Sequence, residues 1–188
     1  MTSSVPLAAV DAALRDHFGQ APVRASVSFV GVEPIEVLRF EPIPGEWAYV
    51  TLGMSRRSMT AADEFVQASD GPRAELMLSV RDPQRVFEDV WRRLAVLAAA
   101  PVVEGVVYVP GMTVDLGEPL AQGSLCTGIV TAESAVEPID GVDVLAVLPA
   151  TQNELAWARV NGGAKLVDRW RAEGTDLLDL TRGTVRFA

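Results

Sequence analysis

The stretch WAYVTLGMS, residues 47–55, combines a strand pattern with a short polar turn. Up to Leu52 its side chains alternate between two sets, which predicts a β-strand with two different faces. Gly53 ends that strand and Ser55 follows in the turn. A serine placed after a strand and a glycine is the arrangement of some hydrolase nucleophiles. The same segment can also be only a signature of the fold, and the surrounding sequence has to distinguish the two.

Short strands are predicted on both sides of this stretch. Residues 24–30 alternate and residues 35–41 give a second strand. The turn sequences GVEP and PIPGE separate these strands from residues 47–52, and such close spacing predicts an antiparallel meander. The polar segment 55–72 is predicted to be a loop. Further strands are predicted over residues 73–80, 103–110, 124–132 and 142–150.

Two helices are predicted in the first half of the chain. In the N-terminal segment Leu14 and Phe18 lie at helical spacing, with Ser3 or Ser4 as a cap. The clearest helix is predicted to start at Asp82, because a capping aspartate is followed by a proline at the first helical position. Its apolar stripe consists of Val86, Phe87, Val90, Trp91, Leu94 and Leu97.

Two further helices are predicted near the C-terminus. The sequence TQNE pairs Thr151 with Glu154 as a capping box, so a helix is predicted to start there. A short helix is predicted over residues 164–174. The order of elements lacks the strict strand–helix alternation of a doubly wound sheet. We therefore predict an α+β fold, a single domain over residues 1–188 with a mixed, largely antiparallel sheet and helices packed on it.

Composition excludes several classes of function. The 188 residues carry a net charge of −9 and a single lysine, which disfavours nucleic-acid binding. An acidic surface keeps a protein soluble and would steer a basic partner toward it. No apolar run is long enough for a membrane span, and a secretory signal is not expected because the N-terminus lacks a basic region. The lone Cys126 permits a cytoplasmic setting, which we expect.

The usual catalytic and metal-binding residues are scarce. His17 is the only histidine and Cys126 the only cysteine, so they cannot assemble a His- or Cys-based metal site. Ser55 lacks the second glycine of a nucleophile elbow, because Arg57 stands two residues after it. No phosphate-binding glycine motif occurs. We expect no cofactor, no metal and no catalytic serine; the Ser55 hydroxyl is expected to satisfy backbone groups in its turn.

Carboxylates leave one catalytic alternative open. Local pairs occur at Asp63/Glu64, Glu88/Asp89 and Asp140/Asp143. Two carboxylates can perform acid–base catalysis if a cleft brings them together. An enzyme with a small-molecule pocket is therefore one alternative, and a structural or self-associating domain is another.

Several motifs together resemble the suppressor of fused domain family. They are WAYVTLGMS (47–55), AELML (74–78) with WRRLA (91–95), the PG-x-T-x-D-L-G-x-P-L stretch (110–120), and VLAVLPATQNEL (144–155) continuing to NGGAKL (161–166). Ala150 stands where the family usually has isoleucine. The order and spacing of the motifs carry the resemblance, which covers residues 25–182 and is to a short, bacterial-type member.

The resemblance implies a mixed α/β fold and a non-enzymatic, protein-binding function. Animal members hold an extended peptide beside a strand between two lobes, and this chain is too short for the second lobe, so that groove is not carried over. Short bacterial relatives are proposed to act as immunity proteins that neutralise toxins by direct binding, so the expected partner is a protein, with a toxin as the specific candidate. We expect the loop after residue 53 to be exposed and to contact that partner, with the glycine-rich segment 111–123 as a second candidate. The predicted partner-binding residues are Trp47, Met54, Ser55, Arg56, Arg57 and Met59.

Overall fold

The computed structural model describes residues 7–61 and 71–187, and these contain one seven-stranded sheet with four α-helices. The strands are β1 (Val23–Phe29), β2 (Val32–Ile43), β3 (Glu46–Leu52), β4 (Arg73–Arg81), β5 (Thr113–Asp115), β6 (Cys126–Glu133) and β7 (Val142–Thr151). The helices are α1 (Leu7–Phe18), α2 (Val90–Val103), α3 (Gln152–Asn161) and α4 (Gly163–Glu173).

The sheet joins two antiparallel halves through one parallel pair. Its order is β1-β2-β3-β4-β7-β6-β5, and β4 and β7 are the parallel neighbours. The first three strands form the meander that the alternation and the turn residues predict, and β4 adds an antiparallel neighbour to β3. The predicted α+β class, with a mixed and largely antiparallel sheet, is therefore confirmed.

Each face of the sheet is covered by a helix. The apolar stripe of α2 packs on one face in a cluster that includes Val37, Tyr49 and Leu78. On the other face, α1 buries Val10 and Leu14 against β2 and β3. Helices α3 and α4 pack at the β5–β7 end. Apolar burial on both faces explains why the central strands read as nearly continuous hydrophobic runs.

The strand and helix boundaries differ from the prediction in two regions. Helix α2 begins at Val90 rather than at Asp82, because the Asp82 carboxylate accepts the N–H groups of Val86 and Phe87 and holds residues 82–89 in turns. Within those turns Arg85 has a positive φ of 56°. The strand predicted over residues 103–110 is absent, and the short edge strand β5 lies in the segment predicted to be a loop.

The predicted C-terminal helices are present. Helix α3 follows Thr151, whose N–H donates to Glu154 at 2.8 Å, as the capping box predicts. Helix α4 matches the predicted short helix to within one residue at each end. The serine cap predicted for α1 lies outside the described residues.

Candidate functional site

The turn after β3 is built around the buried carboxylate of Glu75 on β4. Ser55 Oγ donates to Glu75 Oε1 at 2.7 Å, and the N–H groups of Gly53 and Ser55 donate to the same oxygen at 2.8 and 3.1 Å. Thr51 Oγ1 donates to Oε2 at 2.6 Å. Both Ser55 and Glu75 are 0% exposed. Four internal donors thus satisfy a carboxylate that would be costly to bury alone.

This network gives Ser55 a structural role. Its hydroxyl is committed to Glu75, and its carbonyl accepts from Arg73 at 2.8 Å. Gly53 has a φ of 132°, a conformation that favours glycine. The prediction that its hydroxyl satisfies backbone groups of the turn is wrong, because the partner of the hydroxyl is the Glu75 side chain on the neighbouring strand.

The predicted partner-binding residues are only partly accessible. Met54 and Met59 are 5% and 4% exposed, so the prediction that they lie on an exposed loop is wrong. They pack into the core beneath α2, and Met59 Sδ accepts the N–H of Tyr108. Arg56 donates to the carbonyl of Pro34 and is half-buried, while Arg57 is exposed. Of the predicted loop, residues 62–70 lie outside the described part of the chain.

Trp47, the remaining predicted residue, is half-buried and held in a defined orientation. Its indole N–H donates to the carbonyl of Asp82 at 2.9 Å. The guanidinium carbons of Arg39 and Arg85 lie 4.8 and 5.7 Å from its ring centre. Two arginines stacked on one tryptophan ring concentrate positive charge at this place on an acidic protein.

The two arginines also line a cleft of about 170 Å³, which we call the arginine cleft. Its floor is the α2-facing side of β1–β3, and its wall is the segment from residue 82 to the start of α2. The side chains that give it its chemistry are those of Arg39, Tyr49, Arg85, Glu88 and Trp91. Two arginines, Arg39 and Arg85, against one glutamate make this cleft positive.

The arginines of the cleft differ in their ionic partners. Arg85 pairs with Glu88 at 2.9 Å, whereas the neighbouring Arg24 of β1 points to the other face of the sheet and pairs there with Asp11 and Glu36. Within residues 7–61 and 71–187 Arg39 forms no salt bridge, and its Nε is buried without a hydrogen-bond partner. Burial raises the pKa of the Tyr49 hydroxyl beside it, and the charge of Arg39 opposes part of that rise. Arg39 is therefore the arginine of the cleft that has no carboxylate partner in the described residues.

A second buried carboxylate, Glu154, ties the C-terminal segment to α3 and α4. Arg182 donates to both of its oxygens at 2.7 and 2.9 Å, and Trp170 Nε1 donates at 3.0 Å. The N–H groups of Thr151 and Val185 complete the set. Burial raises the pKa of Glu154, but these donors outweigh it and hold the pKa below its ordinary value. Like Glu75, this carboxylate is saturated by its own fold.

The local carboxylate pairs do not converge in the described residues. Glu88, Asp89, Asp140 and Asp143 are all exposed, and the pair at residues 63–64 lies outside the described residues. No group of three or more His, Cys, Asp or Glu side chains able to hold a metal occurs in the described parts of the chain. Asp143 lines a cleft of about 380 Å³ together with Glu133 and Glu137, so a carboxylate of the predicted pairs does meet other acidic residues at this place. The members of the two described pairs are otherwise exposed to solvent.

The two remaining candidates from the sequence have ordinary structural positions. His17 is exposed near the end of α1. Cys126 is buried on β6, and burial raises the pKa of its thiol to about 11. Among the helices that the structure describes, none has the length and apolarity needed to cross a bilayer.

Sequence reasoning missed the residues that organise these sites. Glu75 interrupts an otherwise apolar strand, AELML, and a charged residue in such a run was an available signal. Arg39 likewise stands between Leu38 and Phe40 in β2. The pairing of Glu154 with Arg182, 28 residues later, had no local signal.

Comparisons with known proteins agree on one family. The family model described as Suppressor of fused protein matches residues 31–183. A crystal structure of a SUFU homologue from Neisseria gonorrhoeae is 21% identical with a TM-score of 0.73, covering 96% of this chain and 97% of that one. The crystal structure of the Sufu-Fu complex matches at 13% identity and a TM-score of 0.68, covering 95% and 91%.

A longer relative also shares the fold. The crystal structure of Drosophila Suppressor of Fused is 14% identical with a TM-score of 0.68, and the match covers 95% of this chain but only 50% of that one. A comparison with curated protein sequences finds no match. At these identities the structural likeness shows a common fold.

Proposed function

The chain belongs to the suppressor of fused family, and from this premise we propose that it acts by binding another protein rather than by catalysis. One of the structures with this fold is that of a complex, the Sufu-Fu complex, which supports a binding role for the fold. Internal donors saturate Glu75 and Glu154, so neither of these two carboxylates is available for acid–base catalysis.

The observation that carries the proposal is the arginine cleft. Tryptophan, tyrosine and arginine are the residue types that contribute most to protein interfaces. Here Arg39 and Arg85 stack on Trp47, and Tyr49 and Trp91 line the same cleft. We therefore move the predicted contact surface from the loop after residue 53 to this cleft, retaining Trp47 from the predicted set.

The more specific proposal is that the protein is an immunity protein that neutralises a toxin by direct binding. It rests on the resemblance to short bacterial relatives, and the match to the Neisseria gonorrhoeae homologue over nearly the whole of both chains supports a short family member of this kind. A cytoplasmic location is part of the same proposal, and a single buried cysteine suits a reducing compartment. We propose that the chain works as one domain.

The experiment pairs the protein with the products of the genes adjacent to its own. Each product is co-expressed with the tagged protein, and any pair that co-purifies is titrated by calorimetry. We expect one product to bind with a Kd below about 10 µM, a free energy of roughly −7 kcal/mol. If none of the adjacent products binds in this range, the immunity proposal is wrong.

Self-association is separated from partner binding by light scattering. The protein alone is measured over a hundredfold range of concentration. A molecular mass that stays at that of one chain, 20.1 kDa, supports a partner other than itself. A mass that doubles with concentration would favour the self-associating alternative.

A further inference from the structure

We infer that the arginine cleft binds the carboxylate of an aspartate or glutamate side chain of the partner protein. This inference rests on the proposed binding function and adds the chemistry of the contact. The group that it assigns as the receptor is the guanidinium of Arg39, with Arg85 beside it.

The first support is the missing counter-charge of Arg39. The other arginine of the cleft, Arg85, has a carboxylate partner in Glu88, whereas Arg39 has none within the described residues. Its Nε is buried and makes no hydrogen bond. A guanidinium presents donors in a planar fork that matches a carboxylate, and such charge-assisted bonds are the strong ones. An external carboxylate would supply the counter-charge that the described residues do not provide.

The second support is that Arg39 is already held in place. In the sheet it lies opposite Val23 on β1 and Tyr49 on β3, and its guanidinium stacks over the ring of Trp47. That ring is fixed in turn by its bond to the Asp82 carbonyl. A side chain ordered before binding loses less conformational entropy when the partner arrives.

The third support is the size and lining of the cleft. A volume of about 170 Å³ is roughly that of five or six water molecules, which is enough for the side chain of a glutamate. Val37 and Tyr49 on the floor are buried and apolar enough to cover its methylene groups. Glu88 lines the same cleft, and its charge opposes a doubly charged phosphate more strongly than a carboxylate.

The cleft also accounts for selectivity on an acidic protein. The net charge of −9 opposes the approach of acidic surfaces in general. At physiological salt the Debye length is only about 8 Å, so the local positive charge decides the contact at short range. The partner is therefore expected to present an isolated acidic side chain rather than an extended acidic surface.

The test uses peptide probes and the whole protein. The probes are Ac-Ala-Glu-Ala-NH2 and its uncharged counterpart Ac-Ala-Gln-Ala-NH2, with glutarate and inorganic phosphate as competitors for the same cleft. Binding is followed by NMR at the Nε–H of Arg39 and the indole N–H of Trp47. We expect the glutamate peptide to shift both signals with a Kd on the order of 1 mM and the glutamine peptide to bind at least about tenfold more weakly.

Three variants make the result specific. Arg39→Gln is expected to weaken binding of the glutamate peptide about tenfold. Arg85→Gln, at a half-exposed position where folding is not at risk, is expected to weaken the same binding several-fold. Binding to these variants is followed at the Trp47 indole. Arg171→Gln changes the net charge equally on α4, where Arg171 is exposed and pairs with Asp168, and is expected to leave binding unchanged.

The outcomes separate this inference from the proposed function. Three results would each overturn the inference. The first is equal binding of the two peptides, and the second is equal binding of the glutamate peptide to wild type and both cleft variants. The third is tighter binding of glutarate or phosphate than of the glutamate peptide. If an adjacent gene product still binds in those cases, the proposed function stands without it. If the peptide behaves as expected and no adjacent product binds, the carboxylate receptor stands and the immunity proposal fails.

Discussion

Removing the Glu75 carboxylate is expected to destabilise the fold more than any change at Ser55. The carboxylate accepts four hydrogen bonds from Thr51, Gly53 and Ser55, all of them buried. Hydrogen bonds to a charged group contribute about 1.5–3 kcal/mol each and are not additive, so we expect Glu75→Ala to cost about 4–6 kcal/mol. The buried N–H groups of Gly53 and Ser55 would be left without acceptors.

Two milder variants provide a graded series. In Glu75→Gln the amide oxygen can replace Oε1, but the NH2 group then faces Thr51 Oγ1, which already accepts the N–H of Leu76 at 2.8 Å. The hydroxyl of Thr51 loses its acceptor, and we expect a cost of about 1–3 kcal/mol. Ser55→Ala removes only one side-chain donor and is expected to cost about 1 kcal/mol.

The assay is urea unfolding at pH 7, followed by tryptophan fluorescence. The free energies of unfolding should fall in the order wild type, Ser55→Ala, Glu75→Gln, Glu75→Ala. If Glu75→Ala does not fold, the other two still test the order. A loss below about 1 kcal/mol for both Glu75 variants, or a Ser55→Ala loss as large as that of Glu75→Gln, would refute the reasoning.

Three other changes test the remaining features. The pKa of Glu154 in the folded protein lies below the ordinary 4.5. The ionised carboxylate therefore contributes to stability above pH 4.5, and this contribution is lost as the pH falls through the folded-state pKa. Urea titrations between pH 3 and 6 should show a flatter pH dependence of the free energy of unfolding for Glu154→Gln than for wild type. Gly128→Ala should lower the free energy of unfolding by about 1–3 kcal/mol, because a Cβ there would lie 2.5 Å from the carbonyl oxygen of Val114; an unchanged urea midpoint would contradict this close approach. Arg39→Met should change the free energy of unfolding by less than about 1 kcal/mol, because the lost stacking on Trp47 is offset by removal of the Nε that has no hydrogen bond. The affinity for the partner should fall. A large loss of stability would mean that Arg39 stabilises the fold.

Local patterns predicted the elements that local interactions determine. The strand over residues 47–52 and its meander follow from alternation and turn residues, and α3 follows from the pairing of Thr151 with Glu154. Those signals lie within a few residues of the elements that they specify. The order of these elements predicted the α+β class, and the family resemblance implied a mixed α/β fold independently.

Long-range contacts determine the features of the structure that local sequence patterns did not predict. The apolar stripe and proline suggested a helix from Asp82, but the carboxylate of Asp82 binds two turn N–H groups and delays α2 to Val90. The polar segment after Gly53 looked like an exposed loop, yet Glu75, 20 residues away from Ser55, draws it into the core. The arginine cleft combines residues from three strands and α2, and no single segment of the sequence contains its pattern.

Calorimetric titration of the protein with a co-purifying product of an adjacent gene tests the central claim most directly. The wild type and Arg171→Gln should bind with the same Kd, while the double variant Arg39→Gln/Arg85→Gln should bind at least about tenfold more weakly with unchanged folding. Equal affinity of the double variant and the wild type would place the partner elsewhere on the molecule. The absence of binding by any adjacent product would contradict the immunity proposal itself.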